Sequence, residues 1–203
     1  MIFKEISKFP SVEDGKIKFV PFIEASKGIV KIIELFGYIY TPVRQDIQGN
    51  IEKLSQIHSS DVDKFSTLND IVEVEVKESK QFGIDALLWL KRALEFVHVF
   101  LSCLVEDSKQ VPGNESLTPF FQKAYDETLK PYHGIIVQKL FGWIVLAGPS
   151  RNSFMLKLAD GQDPIPEEEI MSEIDSFLQD LGSNISAINT IYEAHNLVFN
   201  QKV

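Results

Sequence analysis

The chain has 203 residues and a formal net charge of −9, which argues against nucleic-acid binding, because phosphate backbones are held by positive surfaces. The same balance argues against docking on anionic lipid through a basic face. The single cysteine, Cys103, excludes an intrachain disulfide and a cysteine-built structural zinc site.

Hydrophobic residues make up 44% of the chain, enough for a sizeable core, and 15 phenylalanines supply bulky apolar surface without a polar tip. Apolar residues recur at helical spacing almost throughout. The first helix opens at Pro21-Phe22-Ile23, carries Ile29, Val30, Ile32, Ile33, Leu35 and Phe36, and is closed by Gly37. Thr41-Pro42 starts a second, with the threonine as N-cap and proline at the first position. Its apolar stripe is Val43, Ile47, Ile51, Leu54 and Ile57. Ser66 or Thr67 caps a third helix through Leu68, Ile71 and Val74; the alternation from Val72 to Val76 also fits a strand, but no partner strand lies nearby.

Asp85 is expected to cap the longest run, Ala86 to Val105, which is apolar around most of its circumference and reads as a central buried helix. Cys103 lies within it, in VHVFLSCLV, and reads as a small buried hydrophobe. After a loop at Pro112-Gly113-Asn114, a helix runs from Leu117 to Lys130, and Pro131 kinks or restarts the chain before HGIIVQKLFGWIVLAG. Gly148-Pro149 ends that run, and Phe154 to Leu158 form a short helix. Beyond the loop from Gly161 to Pro166, the acids Glu167, Glu168 and Glu169 suit the start of a last helix, which extends to Val198 with a break at Gly182. The expected fold is all-α: a single domain over residues 1–203 of about eight helices in two layers. No apolar run reaches the length of a membrane span, and MIFKEISKFP is not a signal peptide. A cytoplasmic location is expected.

The chain has no glycine-rich phosphate loop, HExxH pattern or nucleophile elbow, and its four histidines, at 58, 98, 133 and 195, have no metal-ligand spacing to carboxylates. An enzyme is therefore not expected; Asp46 with His133 is the one acid–base pair available. What remains is polar and local. Asp46, Asn50 and Lys53 fall at i, i+4 and i+7 and share one helix face. They offer fixed donors and acceptors of the kind sugar hydroxyls need, or form an ordinary solvated face with an ion pair. Gly49 beside them, costly inside a helix, suggests close approach of another group. Trp89 offers a flat platform for a sugar ring or a core side chain. His133 is a binding group or a structural hydrogen bonder.

The segments PFIEA, TPVRQDIQGNIEKL, ALLWLKRALEF, KPYHGIIVQKLF and AGPSRNSFMLKL, in this order, resemble the glycolipid transfer protein family from Pro21 to Val203. The resemblance implies a two-layer helical fold with no metal or cofactor, a surface site for a sugar head group and an apolar pocket for ceramide chains. It implies that Asp46, Asn50 and Lys53 bind the head group of a glycosphingolipid, that the Trp89 ring stacks on the sugar, and that His133 bonds the ceramide amide carbonyl. Phe36, Phe96, Val137 and Phe141 are expected to line the pocket. It further implies carriage of the lipid between membranes with transient peripheral contact. Three departures stand out: Gln201 replaces a tail tyrosine, Ile135 replaces a docking tryptophan with Trp143 elsewhere, and the stretch from Glu73 to Asp85 is short. Two rival readings are transfer of a ceramide phosphate, for which Lys53 and Arg92 would supply cations, and a lipid sensor that does not transport.

Overall fold

The longest apolar run forms the helix around which the others are arranged. In the computed structural model, which describes residues 1–110, 113–159 and 165–197, this is α4 (Phe82–Ser108). Before it come α1 (Phe19–Leu35), α2 (Thr41–Ser60) and α3 (Leu68–Glu78); after it come α5 (Thr118–Thr128), α6 (Ile135–Leu146), α7 (Arg151–Leu158) and α8 (Glu167–Ala194). Short 3-10 turns at Tyr38–Tyr40 and Lys130–Tyr132 lead into α2 and towards α6. Among the described residues there are no β-strands, only isolated bridges such as Lys18 to Thr67. Along α4, Leu87, Leu90, Leu94, Phe96, Val97, Phe100, Leu101 and Leu104 are all fully buried, each contributing roughly 1.5–3 kcal/mol. Helices α2, α3, α5 and α8 pack along α4, while α1 packs on α2 and meets α4 and α7, giving the two-layered helical arrangement.

Local rules placed most helix ends, and tertiary contacts moved the others. Thr67 caps α3 as a full capping box with Asp70, and the inward-facing Glu75 settles the Val72–Val76 alternation as helix. Thr41 is not an N-cap: Tyr40 holds that position, and the Thr41 hydroxyl instead donates to the Tyr38 carbonyl at 2.7 Å. The 3-10 turn runs straight into α2, so no half-in residue is left for threonine to fill. Nor does Asp85 cap α4, which starts three residues earlier. The buried carboxylate of Glu75, on α3, accepts from Gly83 N at 2.8 Å and Ile84 N at 2.9 Å, satisfying the orphan amides from a neighbouring helix. A side chain at Gly83 would place its Cβ 2.6 Å from Ile57 and 2.7 Å from Ile71, so glycine lets the helices close on this cap.

Gly182 does not break α8; a Cβ there would lie 3.1 Å from His98 Nε2, so its glycine serves close packing on α4. Gly49 is the reverse case: no group of the protein lies within 4 Å of where its Cβ would stand, so helix packing does not account for its glycine. Cys103 is half-buried rather than buried, packed against the core. The last helix ends at Ala194; Val198, Gln201, Pro112 and most of the loop before Pro166 lie outside the described residues.

Candidate functional site

Helix α2 turns its polar face towards α4 and α6, and a cleft of about 350 Å³ opens between them. Its walls are apolar: Pro42 and Val43 from α2, Ala93 from α4, Leu129, and Val137, Leu140, Phe141 and Ile144 from α6. The residues contributed by α6 recur at i, i+3, i+4 and i+7, one helical stripe. Leu140 and Ile144 were missed in the sequence, although the same periodicity that picked out Val137 and Phe141 points to them.

The five polar or amphipathic residues expected at a head-group site all line this cleft: Asp46, Asn50, Lys53, Trp89 and His133. Asn50 is buried, and its amide donates to the Asp46 carbonyl at 2.9 Å and, at 3.5 Å, to the Asp46 carboxylate. Burial raises the pKa of Asp46 from its ordinary value, while the charge of Lys53 and the Asn50 hydrogen bond act the other way. The Trp89 indole is half-buried, and its ring lies nearly parallel to the His133 imidazole, 15° between planes and 6.2 Å between centroids.

His133 is held by groups the sequence did not reveal. Its Nδ1 shares a 3.2 Å hydrogen bond with Tyr125 Oη, from α5, whose phenol burial pushes up to about 12. Burial first, and then the positive charge of Arg92, lower the His133 pKa from its ordinary value. The imidazole is therefore neutral at pH 7. Tyr125 also stacks on Phe141 at 4.2 Å and 7°, so α5 fixes both the polar and the apolar side of the cleft.

Two expected pocket residues lie elsewhere. Phe36, just past the end of α1, is buried among Tyr40, Phe100, Phe121 and Phe154, with centroids 4.8 to 5.4 Å away. Phe96 sits one ring behind the cleft wall, edge-on to Phe141 at 5.9 Å. Both face the core because α1, α4, α5 and α7 converge there. Arg92 is fully buried and does not line the cleft. Outside the cleft, α6 presents Ile135, Ile136, Trp143 and Leu146 to solvent, each more than 70% exposed. Among the described residues no helix is long and apolar enough to cross a membrane, and no cluster of ligating side chains fits a metal.

Residues 17–160 match the family model for glycolipid transfer protein. A glycolipid transfer protein of Danio rerio is 33% identical over 196 residues, covering 94% of this chain and 93% of its own. Among solved structures, that of FAPP2, described as selecting simple glycosphingolipids through this fold, superposes with a TM-score of 0.88 at 26% identity, covering 100% of this chain and 99% of its own. Mouse ceramide-1-phosphate transfer protein superposes with a TM-score of 0.79 at 21% identity, covering 97% and 94%, a likeness of fold alone.

Proposed function

Because this chain belongs to the glycolipid transfer protein family, we propose that it binds one glycosphingolipid and carries it between membranes, acting in the cytoplasm as a single domain without a catalytic step. The observation that carries this reading is the convergence of Asp46, Asn50, Lys53, Trp89 and His133 in the lining of one otherwise apolar cleft. A ceramide leaves its bilayer slowly, since each buried CH₂ is worth roughly 0.8 kcal/mol. An apolar cleft lowers that barrier by offering the chains another place to go. About 350 Å³ is at the small end for a ligand pocket, so seating both chains requires the cleft to widen.

At the head group, Asp46 accepts from the ceramide amide and from a sugar hydroxyl, Asn50 and Lys53 supply further bonds, and the sugar ring lies on Trp89. The Tyr125 hydroxyl donates to Nδ1 of the neutral His133, which leaves Nε2–H to donate to the amide carbonyl. A lipid lacking these partners leaves buried polar groups unpaired, and this is the source of selectivity.

A phosphate head group would carry close to two negative charges and want several cations. Lys53 is the sole cation among the residues lining the cleft, and it stands beside Asp46. Glucosylceramide is therefore expected to move several-fold faster than ceramide phosphate when both are offered in the same donor vesicles. Equal or faster movement of the phosphate lipid would overturn the sugar reading. A vesicle-independent complex with no movement at all would instead identify a sensor.

The exposed apolar residues of α6, Ile135, Ile136, Trp143 and Leu146, form the face expected to touch the membrane. Apolar contact suits a chain of net charge −9. Replacing Ile136 and Trp143 together by glutamate is expected to slow transfer between vesicles several-fold, with affinity for a short-chain glycolipid in solution preserved. Unchanged transfer would move the docking face elsewhere.

A further inference from the structure

We propose that Arg92 is a positioning residue, whose guanidinium plane fixes the Trp89 indole in the wall of the cleft rather than offering its charge to a ligand. This rests on the reading of Trp89 as the sugar platform. Arg92 lies one turn beyond Trp89 on α4, at i+3, so the two side chains are neighbours. Its Cζ is 4.5 Å from the Trp89 ring centroid and 3.5 Å from that of Tyr132. With only 1% of its surface exposed, it is among the largest fully buried side chains of the protein.

A cation taken out of water needs compensation. Arginine suits aromatic compensation because its guanidinium is planar, weakly hydrated and attracted to ring faces. Burial disfavours the charge here, and interactions with Tyr132 and Glu95 favour it. Tyr132 ends the 3-10 turn that delivers His133 to the cleft. One guanidinium thus ties the helix bearing Trp89 to the turn bearing His133, whose ring runs nearly parallel to the indole. An ammonium group would keep the charge and lose the flat surface.

The chain has two tryptophans, so Trp143→Phe leaves Trp89 as the only fluorescent indole. In that background Arg92→Lys and Arg92→Gln are each expected to raise acrylamide quenching of Trp89 about twofold and to weaken binding of octanoyl glucosylceramide several-fold. With Trp89→Ala also present, Arg92→Lys should change affinity less than twofold, because its effect passes through the ring. An equal loss with and without Trp89, or full affinity and unchanged quenching in Arg92→Lys, would overturn the proposal. If both Arg92 variants fail to fold, Tyr132→Leu, at a half-exposed position, decides: increased quenching supports the assignment and unchanged quenching overturns it. Should the unsubstituted protein bind no glucosylceramide, the glycolipid reading falls, while the quenching arm still decides whether Arg92 holds the indole.

Discussion

Asp46→Val is expected to reduce glycolipid transfer by about two orders of magnitude without loosening the fold. Asp46 is the only carboxylate among the residues lining the cleft, and the proposed site asks it to accept two hydrogen bonds. Charge-assisted bonds contribute roughly 1.5–3 kcal/mol each, and about 1.4 kcal/mol is tenfold in affinity. The effect on stability should have the opposite sign. Burial raises the pKa of Asp46 above its unfolded value, so its contribution to stability is present when the group is protonated. That contribution is lost as pH rises through the folded pKa. At pH 7 the ionised carboxylate therefore opposes folding, and the neutral valine should match or exceed the parent in thermal melts. Asn50 loses only its long 3.5 Å contact with the carboxylate, because its 2.9 Å bond goes to the main-chain carbonyl. The pairing of intact melting with lost transfer marks a residue kept for binding; near-parental transfer by the folded variant would remove Asp46 from the site.

Trp89→Ala is expected to weaken glycosylceramide binding at least tenfold, and Trp89→Phe to retain much of it. Phenylalanine preserves a flat apolar face for the sugar and a ring for Arg92, and lacks only the indole N–H. The indole is half-buried and lines the cleft. Its removal should therefore cost less than the roughly 3–5 kcal/mol seen when a fully buried tryptophan is truncated. Melting and affinity measured on the same preparations separate the two roles. A large fall in melting temperature with unchanged affinity would return Trp89 to the core.

Both substitutions act on residues legible in the sequence, and the reason is local. Asp46, Asn50 and Lys53 share a face because helical periodicity puts i, i+4 and i+7 together whatever the rest of the chain does. The same short-range regularity showed the helices themselves, a cap for α3 at Ser66 or Thr67, of which the structure uses Thr67, and the acidic start of α8. A handful of segments built on such local patterns pointed to the family.

Contacts between residues far apart in the chain decided the rest. The start of α4 depends on Glu75, eight residues before the amide it caps and on another helix, a distance at which no capping rule applies. Gly49 and Gly182 look alike in sequence, yet one faces open space and the other the His98 ring; only the packing of α8 on α4 tells them apart. Phe36, Phe96 and Phe141 are equally apolar, so hydrophobicity could not say which borders the cleft and which fills the core behind it. Arg92 shows the largest difference. A cation three residues from Trp89 reads in sequence as a partner for phosphate, and the fold buries it against two aromatic rings. Sequence determined which groups α2 presents on its polar face, since a helix fixes that within two turns. Tertiary structure decided which charges reach the ligand, because burial and neighbouring rings depend on how the helices close upon one another.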